Sequence, residues 1–426
     1  MNILVLYNET QTFTPTVYEH LDSFARFSQA RVFFGHQDLW RNASTDLHLF
    51  DAVIVHFSIR LPFDQISEPT AQALTAYAGL KIVFIQDEYD HTQRAWHWIR
   101  RLGIRLVFSS VPAESMSRVY PPAEFPGVQF VSNLTGYAPE ALAAIGRQIP
   151  PSQRPLKIGY RGRALPIRYG VMGQDKVEIG RMVKAFCEKE GIEHDIAWKE
   201  KDRLYGDVWY QFNASCRAML GIESGSNVFD WDGSLPGRIA GYRKAHPRAS
   251  DQDVYLEVIA PLEMPGLMNQ VSARIFEAIA CRTALVLFEG NYSGVLIPDR
   301  HFIPLRRDGS NLREMAERLR DGAAVDTMTT LAYDEVLANG KYSYPAFIGM
   351  VDHEIQRALE RMTPVTRPDI PSVSAAFVPM IIRTRPHRYQ LVRWPFFVRM
   401  AGRLAPYLPR SLKSSIKRAL GIRPTT

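Results

Sequence analysis

At 426 residues, 46% of them hydrophobic and 22% charged, the chain is long enough for two or three domains and too apolar to be disordered. Three widely spaced cysteines, Cys187, Cys216 and Cys281, exclude a disulfide framework and a cysteine zinc site, and fit a reducing cytosol. The net charge of +7 belongs to the stretch from Ile370 onward, which holds eleven Lys or Arg and no Asp or Glu; the preceding residues hold 40 basic against 44 acidic groups. No basic-then-apolar leader opens the chain, and no apolar run approaches the ~18–20 residues of a membrane span, so a cytoplasmic protein is expected.

Strands and helices alternate from the start. Residues 3–7 read as a buried strand, and 15–28 as a helix with Val17, Leu21, Phe24 and Phe27 at helical spacing. Strands are expected at 31–34, 52–55, 81–85 and 105–108, with helices at 71–77 and 93–101. A Pro- and Gly-bearing stretch over 136–155 reads as a linker. A second series follows: strand 156–160, helix 176–189, strand 194–198, short helix 208–212, strand 218–222. Residues 223–250 read as a long Gly/Ser/Asp-rich loop, functional or disordered. Segments at 253–259, 273–280, 284–288 and 311–319 complete the series.

Strands separated by helical crossovers imply parallel sheets. The expected class is α/β, with two Rossmann-like domains facing a cleft: an amino-terminal domain over 1–135, the linker 136–155, and a second domain over 156–343. A helix over 344–362 follows. Residues 363–426 form a basic tail with two short amphipathic helices, one on Trp394, Phe397, Val398, Ala401 and Leu404, the other on Leu412, Ile416 and Leu420.

The stretch with the most chemistry is Ser272-Ala-Arg-Ile-Phe-Glu-Ala-Ile-Ala, running into the strand at 284–288. It sets Arg274 and Glu277 one turn apart beside the crevice of an α/β sheet, where such folds bind nucleotides. Apolar flanks on both sides of Glu277 indicate a buried helix, in which an unpaired carboxylate is costly. Arg274 either pairs with Glu277 or meets a phosphate.

This block resembles the R-x-F-E-A-x-A segment of GT-B fold glycosyltransferases, nearest the family 1/4 and CgeB-like group. The resemblance spans about residues 1–360. It implies an enzyme that moves a sugar from a nucleotide-sugar donor to a glycan or lipid-linked acceptor, in bacterial surface polysaccharide or glycolipid synthesis. It makes the first domain the acceptor side, the second the donor side, and 344–362 a closing helix across both. Glu277 is implied to hold the hydroxyls of the sugar nucleotide. Many retaining members carry a second Glu eight residues earlier; that position is Asn269 here.

Other candidates stand at strand ends. Glu223, Ser224 and Gly225 follow the strand at 218–222 and resemble the Ser/Glu/Gly loop of donor domains, with Glu223 open to a catalytic role. Arg161 and Arg163 resemble the first-strand G-R turn and are candidates for the diphosphate, with Lys176 a weaker one. Ser293 and Gly294 either cradle phosphate or form a plain turn. Lys201, Asp202, Arg203 and Tyr205 form a polar loop with no assigned role. In the first domain, His56 resembles the strand-end His that faces the transferred sugar. Asp87 or Glu88 is placed to act as general base toward an acceptor hydroxyl, which an inverting enzyme requires.

Asp230-Trp-Asp232 matches a metal-binding triplet, but the two-Rossmann pattern speaks against that use, and no cofactor or metal is expected. Walker, HExxH and GxSxG motifs are absent. The basic residues over 383–423 are expected to seat the protein peripherally on an anionic membrane surface, at roughly 1 kcal/mol per engaged Lys or Arg, and no nucleic acid is expected. A rival reading is a non-catalytic two-domain sugar- or nucleotide-binding protein.

Overall fold

The structure, a computed structural model, describes residues 1–8, 15–37, 47–138, 149–362 and 382–383. The first half runs β1 (Asn2–Tyr7), α1 (Pro15–Phe27), β2 (Arg31–His36), β3 (Ala52–Val55), α2 (Glu68–Ala76), β4 (Leu80–Ile85), α3 (Thr92–Leu102), β5 (Leu106–Ser109), α4 (Met116–Val119) and β6 (Gln129–Ser132). The second runs β7 (Lys157–Arg161), α5 (Gly170–Glu190), β8 (Glu193–Ala197), α6 (Asp207–Ser215), β9 (Ala218–Gly221), α7 (Leu235–Ala245), α8 (Asp251–Val254), α9 (Ala273–Ala280), β10 (Ala284–Phe288), β11 (Ile303–Leu305), α10 (Leu312–Arg320) and α11 (Gly322–Ala332). Then come α12 (Tyr344–Glu360) and the short β12 (Ile382–Arg383).

The first sheet has the order β12-β2-β1-β3-β4-β5-β6 and the second β11-β10-β9-β7-β8. Every pairing is parallel except that of β12 with β2. Strands such as β1, β3 and β10 are buried at every residue. A parallel strand covered by helices on both faces must be apolar throughout, which is why these segments lack alternation. Strand order reverses between β1 and β3 in one sheet and between β7 and β9 in the other, and ligands bind at such reversals.

Local chemistry sets several boundaries. Ser67 caps α2 by accepting the Thr70 amide, and Ser343 caps α12 by accepting that of Ala346. Phe347, Ile348, Val351 and Ile355 of α12 lie in the core that also holds Leu21 and Phe24 of α1. The chain thus returns to the first sheet after building the second.

The stretch expected as a loop over 223–250 is instead the start of an insertion between β9 and α9, containing α7 and α8. Its base is a ribbon in which Ser224 pairs with Gln270 and Val228 with Glu263. Its apolar side chains Phe229, Leu267 and Met268 are buried in the core of the first domain, beside Trp98, Ile99 and Phe125. Backbone bonds join the same parts: the Asp230 amide donates to Tyr89 O at 2.8 Å and the Gln93 amide to Trp231 O at 2.8 Å. The two expected basic helices of the tail lie outside the described residues. Among the described residues no helix is long and apolar enough to cross a membrane.

Candidate active site

Segments that follow the carboxyl ends of the two sheets meet one another, Tyr169 Oη donating to Asp90 Oδ2 at 3.0 Å. The connections are direct: Gln270 Nε2 donates to Ser110 O at 2.6 Å, and Thr135 Oγ1 donates to Val271 O at 2.8 Å.

Glu277 lies inside this region and not on an outer face. Helix α9 buries Ile275, Phe276, Ala278 and Ile279 against Leu285 and Leu287, and Glu277 itself is only 6% exposed. Its Oε2 accepts the Trp209 Nε1 proton at 2.7 Å, a partner supplied by α6. Its other oxygen accepts no hydrogen bond from the described residues. Burial raises its pKa, while Trp209 and Arg274 oppose the shift. Arg274 donates to Arg161 O, and its guanidinium lies 5.2 Å from the Trp209 ring centroid.

Lys176, on α5, has its pKa pushed down to about 8, first by burial, then by Arg274 and Arg163, while Asp87 opposes the shift from the first domain. Neither the Lys176 ammonium nor the Arg163 guanidinium has an ion pair or hydrogen bond among the described residues. Arg274 thus stands beside the buried carboxylate, and Lys176 lies within electrostatic reach of Arg274, Arg163 and Asp87. Such a group is suited to a diphosphate. The unassigned loop after β8 borders it: Tyr205 is 42% exposed, and the Arg203 guanidinium sits 5.1 Å from its ring centroid. Spacing along the chain carried no signal that Trp209 or Tyr205 would join the site.

Several expected site residues have other duties. Arg161 is buried; it donates to Asp195 O and pairs with the Asp195 carboxylate at 2.9 Å across the β7–β8 edge, and its guanidinium lies 4.2 Å from the Phe212 ring centroid. It is a sheet-edge clamp, unavailable to a diphosphate. Glu223 accepts the amides of Asn291 and Tyr292 at 3.1 and 2.7 Å on one oxygen and the Asn269 side chain on the other. Both oxygens are engaged and the residue is only 7% exposed, so it positions the loop. The residue in contact with it is the same Asn269 that stands eight before Glu277.

The loop pinned by Glu223 contains three successive left-handed residues, Tyr292, Ser293 and Gly294. Ser293 Oγ donates to Gln270 Oε1 at 2.8 Å and accepts the Val271 amide at 2.9 Å. With the Gly294 amide bonded to Asn291 O as well, the loop is a tied turn whose hydrogen-bonding groups are largely engaged. A phosphate cradle at Ser293 and Gly294 does not fit it. Ser224 is joined to Gln270 through its backbone, at 2.7 and 2.9 Å, which leaves its hydroxyl half-buried near the crevice. Gly225 has a φ of +112°, and a Cβ there would lie 2.0 Å from Met268 O, so only glycine fits. It serves the insertion's ribbon, not a ligand.

In the first domain, His56 is 0% exposed. The Ser58 amide donates to its Nδ1, which makes Nε2 the protonated nitrogen, and Nε2 lies 3.0 Å from His20 Nδ1. Both ring nitrogens are engaged in the core, so His56 does not face a sugar. Glu88 is also fully buried. Its Oε1 accepts from Ser109 Oγ at 2.6 Å and the Ser110 amide at 3.0 Å, and burial pushes its pKa up to about 7. It has no path to an acceptor hydroxyl.

Asp87 differs from both. It adopts a left-handed backbone (φ +60°) at the end of β4, and its side chain is 42% exposed. Tyr89 Oη donates to Oδ1 at 2.8 Å and Arg60 pairs with Oδ2 at 3.0 Å. A non-glycine residue in this backbone region costs on the order of 1 kcal/mol, and such strain clusters at functional sites.

Asp230 and Asp232 cap the turn into α7, accepting the amides of Leu235 and Ser234. Among the described residues no three His, Cys, Asp or Glu side chains are grouped to hold a metal.

The His pair makes stability pH-dependent. Burial lowers the His20 pKa to about 3, whereas the unfolded side chain titrates near 6.5. Below pH 6.5 the unfolded chain binds a proton that the folded one excludes, so stability is full above that pH and falls as the pH drops. For His20 alone the loss at pH 5 is about 2 kcal/mol. Urea unfolding at pH 7.5 and 5.0 should show a smaller loss for His20→Gln than for the wild type; Glu88, which acts with opposite sign, is common to both chains and cancels in the comparison.

The architecture is similar to that of an α-glucosyltransferase solved with UDP and a 13-mer DNA containing an HMU base, at 11% identity and a TM-score of 0.51 over 83% of this chain and 99% of that one. T4 phage BGT, solved with its UDP-glucose substrate, is matched at 13% identity and a TM-score of 0.45 over 84% and 100% of the two chains. TarM is matched at 12% identity and a TM-score of 0.40, covering 71% of this chain; the match spans about half of TarM, 54%. No family model and no curated protein matches the sequence. Two parallel sheets in this arrangement are the GT-B fold.

Proposed function

We propose that the chain is a glycosyltransferase that binds a nucleoside diphosphate sugar in the crevice, on the side of the second sheet. The observation that carries this reading is the buried Glu277, held on one oxygen by Trp209 and open on the other, beside Arg274, which in turn lies near Lys176. A carboxylate with a free oxygen in a nearly dry pocket is suited to accept ribose hydroxyls. The adjacent cations are suited to neutralise a diphosphate as it leaves, the task in which preorganised charge counts most. The exposed Tyr205 adds a flat aromatic face at the edge of the same cluster. The GT-B fold agrees with this use, and a structure of that fold was solved with UDP bound. Kinship with the family 1/4-like and CgeB-like group rests on the Arg274–Glu277 block alone.

The side-chain cations take the place of a divalent ion in this reading. The acceptor is proposed to be a glycan or lipid-linked molecule at a membrane surface, with the basic residues over 383–423 drawing the protein to anionic lipid. That part rests on the composition of the tail.

Thermal unfolding with UDP, GDP, ADP and their hexoses tests the donor site. A ligand at 100 times its dissociation constant stabilises the native state by about 2.7 kcal/mol, so at least one nucleotide should raise the melting temperature measurably. The corresponding sugar nucleotide should be turned over, at a rate unchanged by EDTA. Binding without release of free nucleoside diphosphate would instead favour a receptor.

A further inference from the structure

Resting on the transferase reading, we propose that Trp209 is a positioning residue of the donor site: its indole holds Glu277 and Arg274 in register and leaves one carboxylate oxygen for the ligand. One side chain meets both charges. Its Nε1 proton goes to Glu277 Oε2 at 2.7 Å, and the Arg274 guanidinium lies over its ring, 5.2 Å from the centroid. Trp209 is itself fixed. It is 8% exposed, and its carbonyl accepts the Asn213 side-chain amide at 3.0 Å. The Asn213 carbonyl accepts Thr283 Oγ1 at 2.8 Å, which ties α6 to the turn between α9 and β10.

An indole N–H donates and cannot accept. A proton on Glu277 Oε2 would face it donor to donor, so any proton that Glu277 takes up goes to the other oxygen. That is the oxygen a ribose hydroxyl needs as an acceptor, and protonation there removes the charge as well. The bond from Trp209 favours the ionised carboxyl against the burial that raises its pKa, and Arg274 acts in the same direction. Without the indole proton the carboxyl keeps its own proton to higher pH, so donor affinity is lost sooner as the pH falls.

The surrounding ionisable groups leave that effect readable. Burial pushes Tyr210 of α6 and Tyr344 of α12 up, and pushes Cys281, just after α9, up to about 12. Strand β10 carries no charged residue. In the segment 333–338, which packs on α9, Asp334 pairs with Arg282, and Glu335 with Arg300 and His301. Glu19 of α1 and Asp207 of α6 act on Tyr210 as well; neither changes between the chains compared below, so both cancel in a ratio of affinities. Lys176, pushed down to about 8, titrates on the alkaline side.

The test titrates UDP-glucose, GDP-mannose and ADP-glucose into the full-length chain by calorimetry at pH 7.5, 6.5 and 5.5, a range over which a diphosphate ester keeps both charges. Trp209→Phe keeps a ring and removes the proton. Its dissociation constant, divided by that of the wild type, is expected to rise about 10-fold from pH 7.5 to 5.5, the scale of one hydrogen bond to a charged group. In the Glu277→Gln background the same substitution should give a ratio that does not change with pH. A merely structural role gives one factor at every pH. Should Trp209→Phe fail to fold, indole ¹⁵N spectra of the wild type decide: the resonance that Glu277→Gln moves should titrate with the midpoint at which donor affinity falls. A pH-independent ratio, or an indole resonance that does not titrate, overturns the proposal and leaves the donor site standing. Binding of none of the three donors overturns the transferase reading and this inference with it.

Discussion

Glu277→Gln is expected to weaken nucleotide-sugar binding by roughly 10- to 100-fold with little change in folding stability. The estimate follows from hydrogen bonds to a charged group, each worth about 1.5–3 kcal/mol. Gln has nearly the volume of Glu and retains a carbonyl oxygen to accept the Trp209 Nε1 proton, now at 2.7 Å from the carboxylate. The α9–α6 contact therefore survives, while the negative charge offered by the unengaged oxygen is lost. Glu277→Ala should behave differently. It strands the Trp209 donor in a buried position and should lower stability by about 1–3 kcal/mol in addition to affecting binding. Calorimetric titration separates the two, and an unchanged dissociation constant for Glu277→Gln would exclude the carboxylate from the donor site.

Phe229→Ala should cost about 3–5 kcal/mol, the usual range for deleting a buried aromatic ring. Phe229 is 3% exposed and contributes to the first-domain core although the chain reaches it from β9 of the second sheet. Leu267 and Met268 enter the same core from the returning arm of the ribbon. The insertion's ribbon is thus fastened to the first domain by burial and to the second sheet by continuity of the chain. Loss of the ring should therefore loosen the domain pairing as well as the core. Urea unfolding followed by tryptophan fluorescence measures the cost. A loss below about 1 kcal/mol, typical of surface changes, would mean the ring is not packed in that core.

The alternation of apolar strands with amphipathic helices was legible without coordinates, since each element needs only its own near neighbours to be apolar at the right spacing. Strand β10 and helix α9 lie at the expected residues, 284–288 and 273–280, and the burial of Glu277 was implied by the apolar residues on either side of it. Strand β6, half-buried at all four residues, and the three-residue β11 left too short or mixed a pattern to read. The insertion reads as a loop because of its Gly, Ser and Asp content, while Phe229, Leu267 and Met268 find their core more than a hundred residues away in sequence and Val228, Leu235, Val258 and Ile259 form a small one of their own.

The polar candidates show the same division more sharply. Arg161, Glu223, Ser293, His56, Glu88 and Asp87 all stand at or beside strand ends, and the chain alone offers no means to separate them. What separates them is who meets them: Asp195 for Arg161, Asn269 and the 291–292 amides for Glu223, Gln270 for Ser293, His20 for His56, Ser109 for Glu88. Periodicity, a short-range property, determined the two-sheet fold and the dry setting of Glu277. The choice of which polar groups remain open to a ligand fell to tertiary structure, because a hydrogen bond depends on a partner brought to within about 3 Å, most often from a distant segment.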